Sequence, residues 1–194
     1  MKTTTKTKIL QCAEHQLMKG GYDKLNFATI AEKLDITRAN IHYHFKNKET
    51  LAVEVTKLYG REKCNDFSNL RKSYTGDFFG FIETVDNSLW HEMADEDDSG
   101  VGCFALLALD PEIPTTLLNL TQKIYYEVDQ ILIEALQDAV DSKEIRENID
   151  VKREAMRGHV LMIGMSTCGE SFLNYGQSKN QLKGLIIDWA NSLR

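Results

Sequence analysis

Apolar residues along this chain recur at helical rather than strand spacing. Ile9, Ala13 and Leu17 follow one another every fourth residue, predicting a helix that Gly20-Gly21 ends. A short amphipathic stretch runs from Phe27 to Leu34, with Asn26 placed to cap it. Thr37 is placed to cap a second short helix, Arg38 to Phe45. Asn47 caps a longer one, whose apolar positions Leu51, Val55 and Leu58 run at spacings of four and three. Phe78 to Met93 puts Phe78, Ile82, Val85 and Leu89 on one face, and the acidic run DEDDSG ends it. Residues 101–110 predict a short apolar helix that stops before Pro111. The most periodic segment, 115–140, carries Leu117, Ile124, Val128, Ile131, Leu132, Ala135, Leu136 and Val140. Asp150 opens another long helix to about Tyr175, and a last helix is expected from about Ser178 to Leu193. No alternation of strand type appears between turn signals, so the fold class is all-α with about nine helices.

At 194 residues, 42% hydrophobic and 27% charged, with 2 Pro and 12 Gly, the composition is that of a globular chain of one or two domains. No apolar run is long enough to span a bilayer, and the basic, polar start MKTTTKTKILQCAEH lacks the apolar core of a signal peptide, so a cytoplasmic location is expected. Charge changes the picture more. Residues 1–64 hold 12 Lys and Arg against 7 Asp and Glu, a net of +5, while the rest holds 11 against 22, a net of −11. A basic third on an acidic remainder points to a polyanion that docks at one end. Cys12, Cys64, Cys103 and Cys168 are too scattered for a metal or redox pair and read as inert thiols. No cofactor or metal is expected.

The informative segment is NFATIAEKLDITRANIHYHFKNKETL, residues 26–51. Two short helices joined by about three residues have the spacing of a helix-turn-helix, whose second helix enters the major groove. In that helix Ala39, Ile41 and Phe45 can pack inward, while Arg38, Asn40 and His42 can face out. Arg suits guanine edges and Asn adenine edges. Tyr43, His44 and Lys48 offer donors to phosphate, and Thr37 and Lys48 stand at helix N-termini, which favour anions. His42 and His44, two apart on a helix, point to different sides and so do not make a metal pair.

Over about residues 6–58 the chain resembles the tetracycline-repressor-like (TetR) transcriptional regulators. The resemblance is carried by Thr29-Ile30-Ala31, by the run Thr37 to Phe45, and by Asn47-Lys48-Glu49. Two positions depart from the pattern: Asp35 replaces the usual turn glycine, and Ala28 stands where relatives can carry a base-contacting Arg. The resemblance implies an N-terminal three-helix DNA-binding domain, 1–48, and a C-terminal helical ligand-binding and dimerisation domain, 49–194. The helix at about 47–64 would link them. The DNA-binding residues implied are Thr29, Thr37, Arg38, Ala39, Asn40, His42, Tyr43, His44 and Lys48. The partners implied are duplex DNA with a palindromic operator, a small-molecule effector and a second copy of the chain. A cavity for the effector draws Trp90, Phe104, Tyr126 and Met162 as candidate walls. The stripe Leu182, Leu185, Ile186 and Trp189 is the candidate dimer surface. Gly158, Gly164 and Gly169 suggest a close helix approach, at a subunit interface or around a ligand. The expected function is a ligand-responsive repressor, not an enzyme. The alternatives are a helical protein-interaction module or an enzyme without a recognisable catalytic motif.

Overall fold

The computed structural model describes residues 4–94, 107–108, 110–174 and 182–194. Among the described residues there are eight helices: α1 Thr5–Lys24, α2 Phe27–Leu34, α3 Arg38–His44, α4 Lys48–Ser73, α5 Phe78–Ala94, α6 Thr115–Asp141, α7 Val151–Asn174 and α8 Leu185–Asn191. No described helix is long and apolar enough to cross a membrane. The helix expected at 101–110 and the wall candidate Phe104 fall almost wholly outside the described residues.

Capping side chains set the helix starts. Asn26 accepts from the Ala28 N–H at 2.7 Å, Thr37 from Asn40 at 3.2 Å, Asn47 from Thr50 at 2.8 Å and Asp150 from Arg153 at 3.1 Å. Within α1, Gly21 has φ 73° and ψ −175°, so the regular helix ends at the glycine pair and one short turn continues to Lys24.

The chain divides into two compact units. Unit one comprises Met1–Lys63 and Gly102–Ile124. Its apolar interior contains Ile9, Leu17, Ile30, Ile41, Phe45, Leu51, Leu107 and Leu117, all fully buried. Packing thus brings a segment after residue 100 into the N-terminal unit, where the sequence places the boundary at residue 48.

Unit two comprises Cys64–Val101 and Tyr125–Arg194. Its core joins Phe81, Ile82 and Val85 of α5, Leu132 and Leu136 of α6, Ala155 and Met165 of α7, and Ile186, Trp189 and Ala190 of α8. Gly184 adopts φ 91° and breaks the expected C-terminal helix, so that α8 starts at Leu185, while the expected start near Ser178 lies outside the described residues. Leu182 precedes that break. With Leu182, Ile186 and Trp189 at 9%, 0% and 4% exposure, most of the candidate dimer stripe is spent inside the same chain, and only Leu185 is exposed. The stripe was apolar for a reason, but α5 and α7 cover it. Gly158 of α7 belongs to this arrangement: a Cβ there would meet the Trp189 ring at 2.5 Å. The close approach is therefore within the chain. At Gly164 a Cβ would meet nothing within 4 Å.

Asp86 of α5 is 1% exposed. One carboxyl oxygen accepts from the Gly184 N–H at 3.2 Å, and the other has no partner. Burial pushes its pKa up, and the hydrogen bonds from Gly184 and Trp90 offset this only in part. A carboxyl with a raised folded value binds its proton more tightly folded than unfolded. Its contribution to stability therefore falls as pH rises above the ordinary carboxylate range.

Two expectations follow for stability. Gly158→Ala should destabilise by about 1–3 kcal/mol through overpacking, although alanine is the better helix former; an unchanged or raised melting temperature contradicts this packing. Asp86→Asn, which keeps an acceptor for Gly184, should melt higher than wild type at pH 7, with a gap that shrinks toward pH 4. A gap independent of pH would show that Asp86 is not buried as a charge.

Candidate nucleic-acid interface

The seven residues of α3 present a surface because Ile41 within the helix and Phe45 just after it are anchored. Ile41 and Phe45 are fully buried in unit one. The Phe45 N–H closes the helix on the Ile41 carbonyl at 2.8 Å. The turn before α3 depends on Asp35, which takes the left-handed conformation, φ 52° and ψ 49°. Its N–H bonds to Glu32, and the Ile36 N–H reaches the Ala31 carbonyl at 3.0 Å. This is the helix-ending arrangement that glycine most often supplies, and Asp tolerates it.

On the outer side, Thr37, Arg38, Ala39, Asn40, His42 and Tyr43 are all exposed, as is Thr29 on α2. Ala39, expected to pack inward, lies with them; the buried apolar anchors are Ile41 and Phe45. Tyr43 is 86% exposed, which excludes a core role. Its ring stands edge-on to His44, with centroids 5.1 Å apart. The Thr37 hydroxyl is committed to the cap of α3. The His42 ring meets Phe27 of α2 edge to face at 5.0 Å.

Lys48 has a more specific setting than its expected role suggests. Its ammonium donates to the Asp23 carbonyl at 3.0 Å and lies 4.5 Å from the centre of the Tyr22 ring. The Asp23 N–H in turn donates to Asp110 Oδ2 at 2.8 Å. One residue at the end of α1 is thus held on both sides, by the first residue of α4 and by the segment before α6. Tyr22 stays a neutral phenol, raised above its ordinary pKa by burial and by the carboxylates of Glu49 and Asp110. Nearby, Lys6 pairs with Glu54 at 2.8 Å and lies over the Phe45 ring. The motif reading missed Phe27, Asp23 and Asp110. The Phe27 packing is foreshadowed only by the strong amphipathicity of α2, and no sequence signal links positions 23 and 110.

Of the wall candidates, Trp90 and Met162 share one apolar cluster and Tyr126 stands apart from it. Trp90 is buried in the unit-two core, Met162 is packed against that core, and Tyr126 is 62% exposed on α6. Its neighbour Tyr125 faces inward instead, edge-on to His159, whose Nδ1 pairs with Asp129. Tyr126 is therefore no wall of an internal cavity: a one-position shift on a helix turns a side chain by about 100°. Burial, with Glu127 adding to it, pushes the Cys64 thiol up to about 11, and burial also raises Cys12. Neither is a ready thiolate.

Residues 9–55 match the family model described as bacterial regulatory proteins, tetR family. Solved structures share the fold along the whole chain. A TetR transcriptional regulator from Legionella pneumophila is 22% identical, covers 100% of both chains and has a TM-score of 0.78. The reduced form of NemR from E. coli is 14% identical, covers 97% of this chain and 96% of its own, and has a TM-score of 0.78. FadR from Bacillus subtilis, in complex with stearoyl-CoA, is 18% identical, covers 96% of each chain and has a TM-score of 0.68. A comparison with curated protein sequences finds no match.

A surface of this kind separates two sorts of contact. Asn40→Ala should cost about 1–3 kcal/mol on a preferred duplex and little on unrelated DNA, whereas Tyr43→Ala should weaken both alike. Equal losses on both duplexes for Asn40→Ala, in gel-shift titrations, would place Asn40 outside the base-reading set.

Proposed function

We propose that this chain, a member of the tetR family by its residues 9–55 and its fold, is a repressor that binds a palindromic operator as a homodimer and leaves it when a small molecule binds. The observation that supports this most strongly is the exposed row Arg38, Asn40, His42 and Tyr43 on a capped helix whose other side is anchored by Ile41 and Phe45. Residues 1–48 act as the DNA-binding domain and 49–194 as the ligand-binding and dimerisation part. Arg38, Asn40 and His42 read bases. Thr29, Ala39, Tyr43 and His44 lie against the backbone, and Lys48 joins them with the two ammonium donors its bond to Asp23 leaves over.

A seven-residue helix reads too few bases alone, which is the reason to expect two copies on half-sites about 34–36 Å apart. With Leu182, Ile186 and Trp189 buried, the dimer surface is better supplied by Met156 and Val160. Both are 62% exposed and stand one helical turn apart on α7. Leu185 adds a third exposed apolar side chain.

The switch works through Asp23. The effector displaces the segment around Asp110, the Asp23 peptide follows, and the start of α4 at Lys48 moves with it. B. subtilis FadR was solved with stearoyl-CoA, which supports a small-molecule effector for this fold. A ligand shifts the equilibrium only through its differential affinity for the two states, so operator DNA must weaken effector binding by the same factor.

Selection from random duplexes tests the reading. An inverted repeat should be enriched, bound with a steep loss of affinity as salt rises. The double variant Met156→Glu, Val160→Glu should be monomeric in light scattering and lose the inverted repeat while keeping its helical content. Enrichment of no sequence contradicts the function. A variant that remains dimeric contradicts the assigned dimer surface.

A further inference from the structure

His42 carries an inference that rests on the DNA-binding reading and goes beyond it. Its Nδ1 lies 3.3 Å from the backbone carbonyl oxygen of Lys46. A carbonyl only accepts, so Nδ1 bears the proton. In the neutral ring Nε2 then holds a lone pair and no hydrogen. Phe27, edge-on at 5.0 Å with 60° between the ring planes, fixes how the imidazole is turned. The two ring nitrogens diverge, so with Nδ1 turned back to Lys46, Nε2 points away from that carbonyl. His42 is exposed, one helical turn after the exposed Arg38.

We propose that His42 is a specificity-determining residue whose neutral Nε2 accepts a hydrogen bond from a base. It selects a base with an exocyclic amino group in the major groove, adenine N6 or cytosine N4. Arg38 has donors only and selects guanine. The two side chains, one turn apart, therefore make opposite demands on nearby base pairs. The device is set by a backbone carbonyl and a buttressing ring, and not by the identity of His42 alone. Without the Lys46 bond either tautomer would serve, and a donor would be as available as an acceptor.

The test uses the full-length chain and its selected duplex. At each enriched adenine or cytosine the amino group is replaced by hydrogen. At each adenine, separately, N7 is replaced by C–H. At one position per half-site, amino removal should weaken binding about fivefold, the size of one net hydrogen bond, and N7 replacement should do nothing. The His42→Phe variant keeps a ring against Phe27. It should be indifferent to amino removal at that position, where wild type loses about fivefold. Sensitivity to N7 and amino changes together marks a side-chain amide such as Asn40. If every amino-sensitive position behaves in this way, or if every loss persists in His42→Phe, the assignment is overturned while the DNA-binding reading stands. If no sequence is enriched, both are overturned.

Discussion

The interface depends on the burial of Ile41 and Phe45, both fully shielded in unit one. A helix of seven residues is far below the length that holds itself in water, where nucleation alone disfavours it. The two apolar anchors, the Thr37 cap and the left-handed turn at Asp35 supply what the local sequence lacks. The same constraint orients the outer row. With Ile41 and Phe45 inward, residues 38, 40, 42 and 43 have nowhere to go but solvent. Packing inside unit one thus determines which side chains can meet DNA.

Asp23 is held from two sides. Its N–H and carbonyl are both exposed-type groups that water could satisfy, yet each is taken by a side chain distant in sequence, Asp110 and Lys48. A residue held from both sides transmits displacement better than one held by solvent. α4 then extends from Lys48 to Ser73, belonging to unit one up to Lys63 and to unit two from Cys64. Unit two has its own tension, seen in Asp86, whose burial opposes ionisation and leaves one oxygen unpartnered.

Much of this was legible in the sequence, for identifiable reasons. Caps are local, so Asn26, Thr37, Asn47 and Asp150 announced their helices, whereas the turn at Asp35 was marked only by the glycine that the resembling family usually has there. The outward row followed from the period of a helix around Ile41 and Phe45. What failed was non-local. An apolar stripe does not say which surface covers it, so Ile186 and Trp189 read equally well as interface or core until α5 and α7 were in place. Gly158 carried the same ambiguity, resolved by the Trp189 ring. Tyr126 and Tyr125 could not be told apart without the rotation of α6. The tie between positions 23 and 110 spans 87 residues and leaves no pattern in composition or spacing.

Everything proposed for this chain turns on whether the outer face of α3 is the part that meets DNA. Amide chemical shifts recorded while a selected duplex is titrated into the protein test it most directly. Amides at 37–48 should shift most, with saturation at one duplex per two chains, and the core of unit two near Leu132 and Ile186 should change least. Saturable duplex binding that leaves 37–48 unmoved, with the largest shifts in unit two, would contradict it.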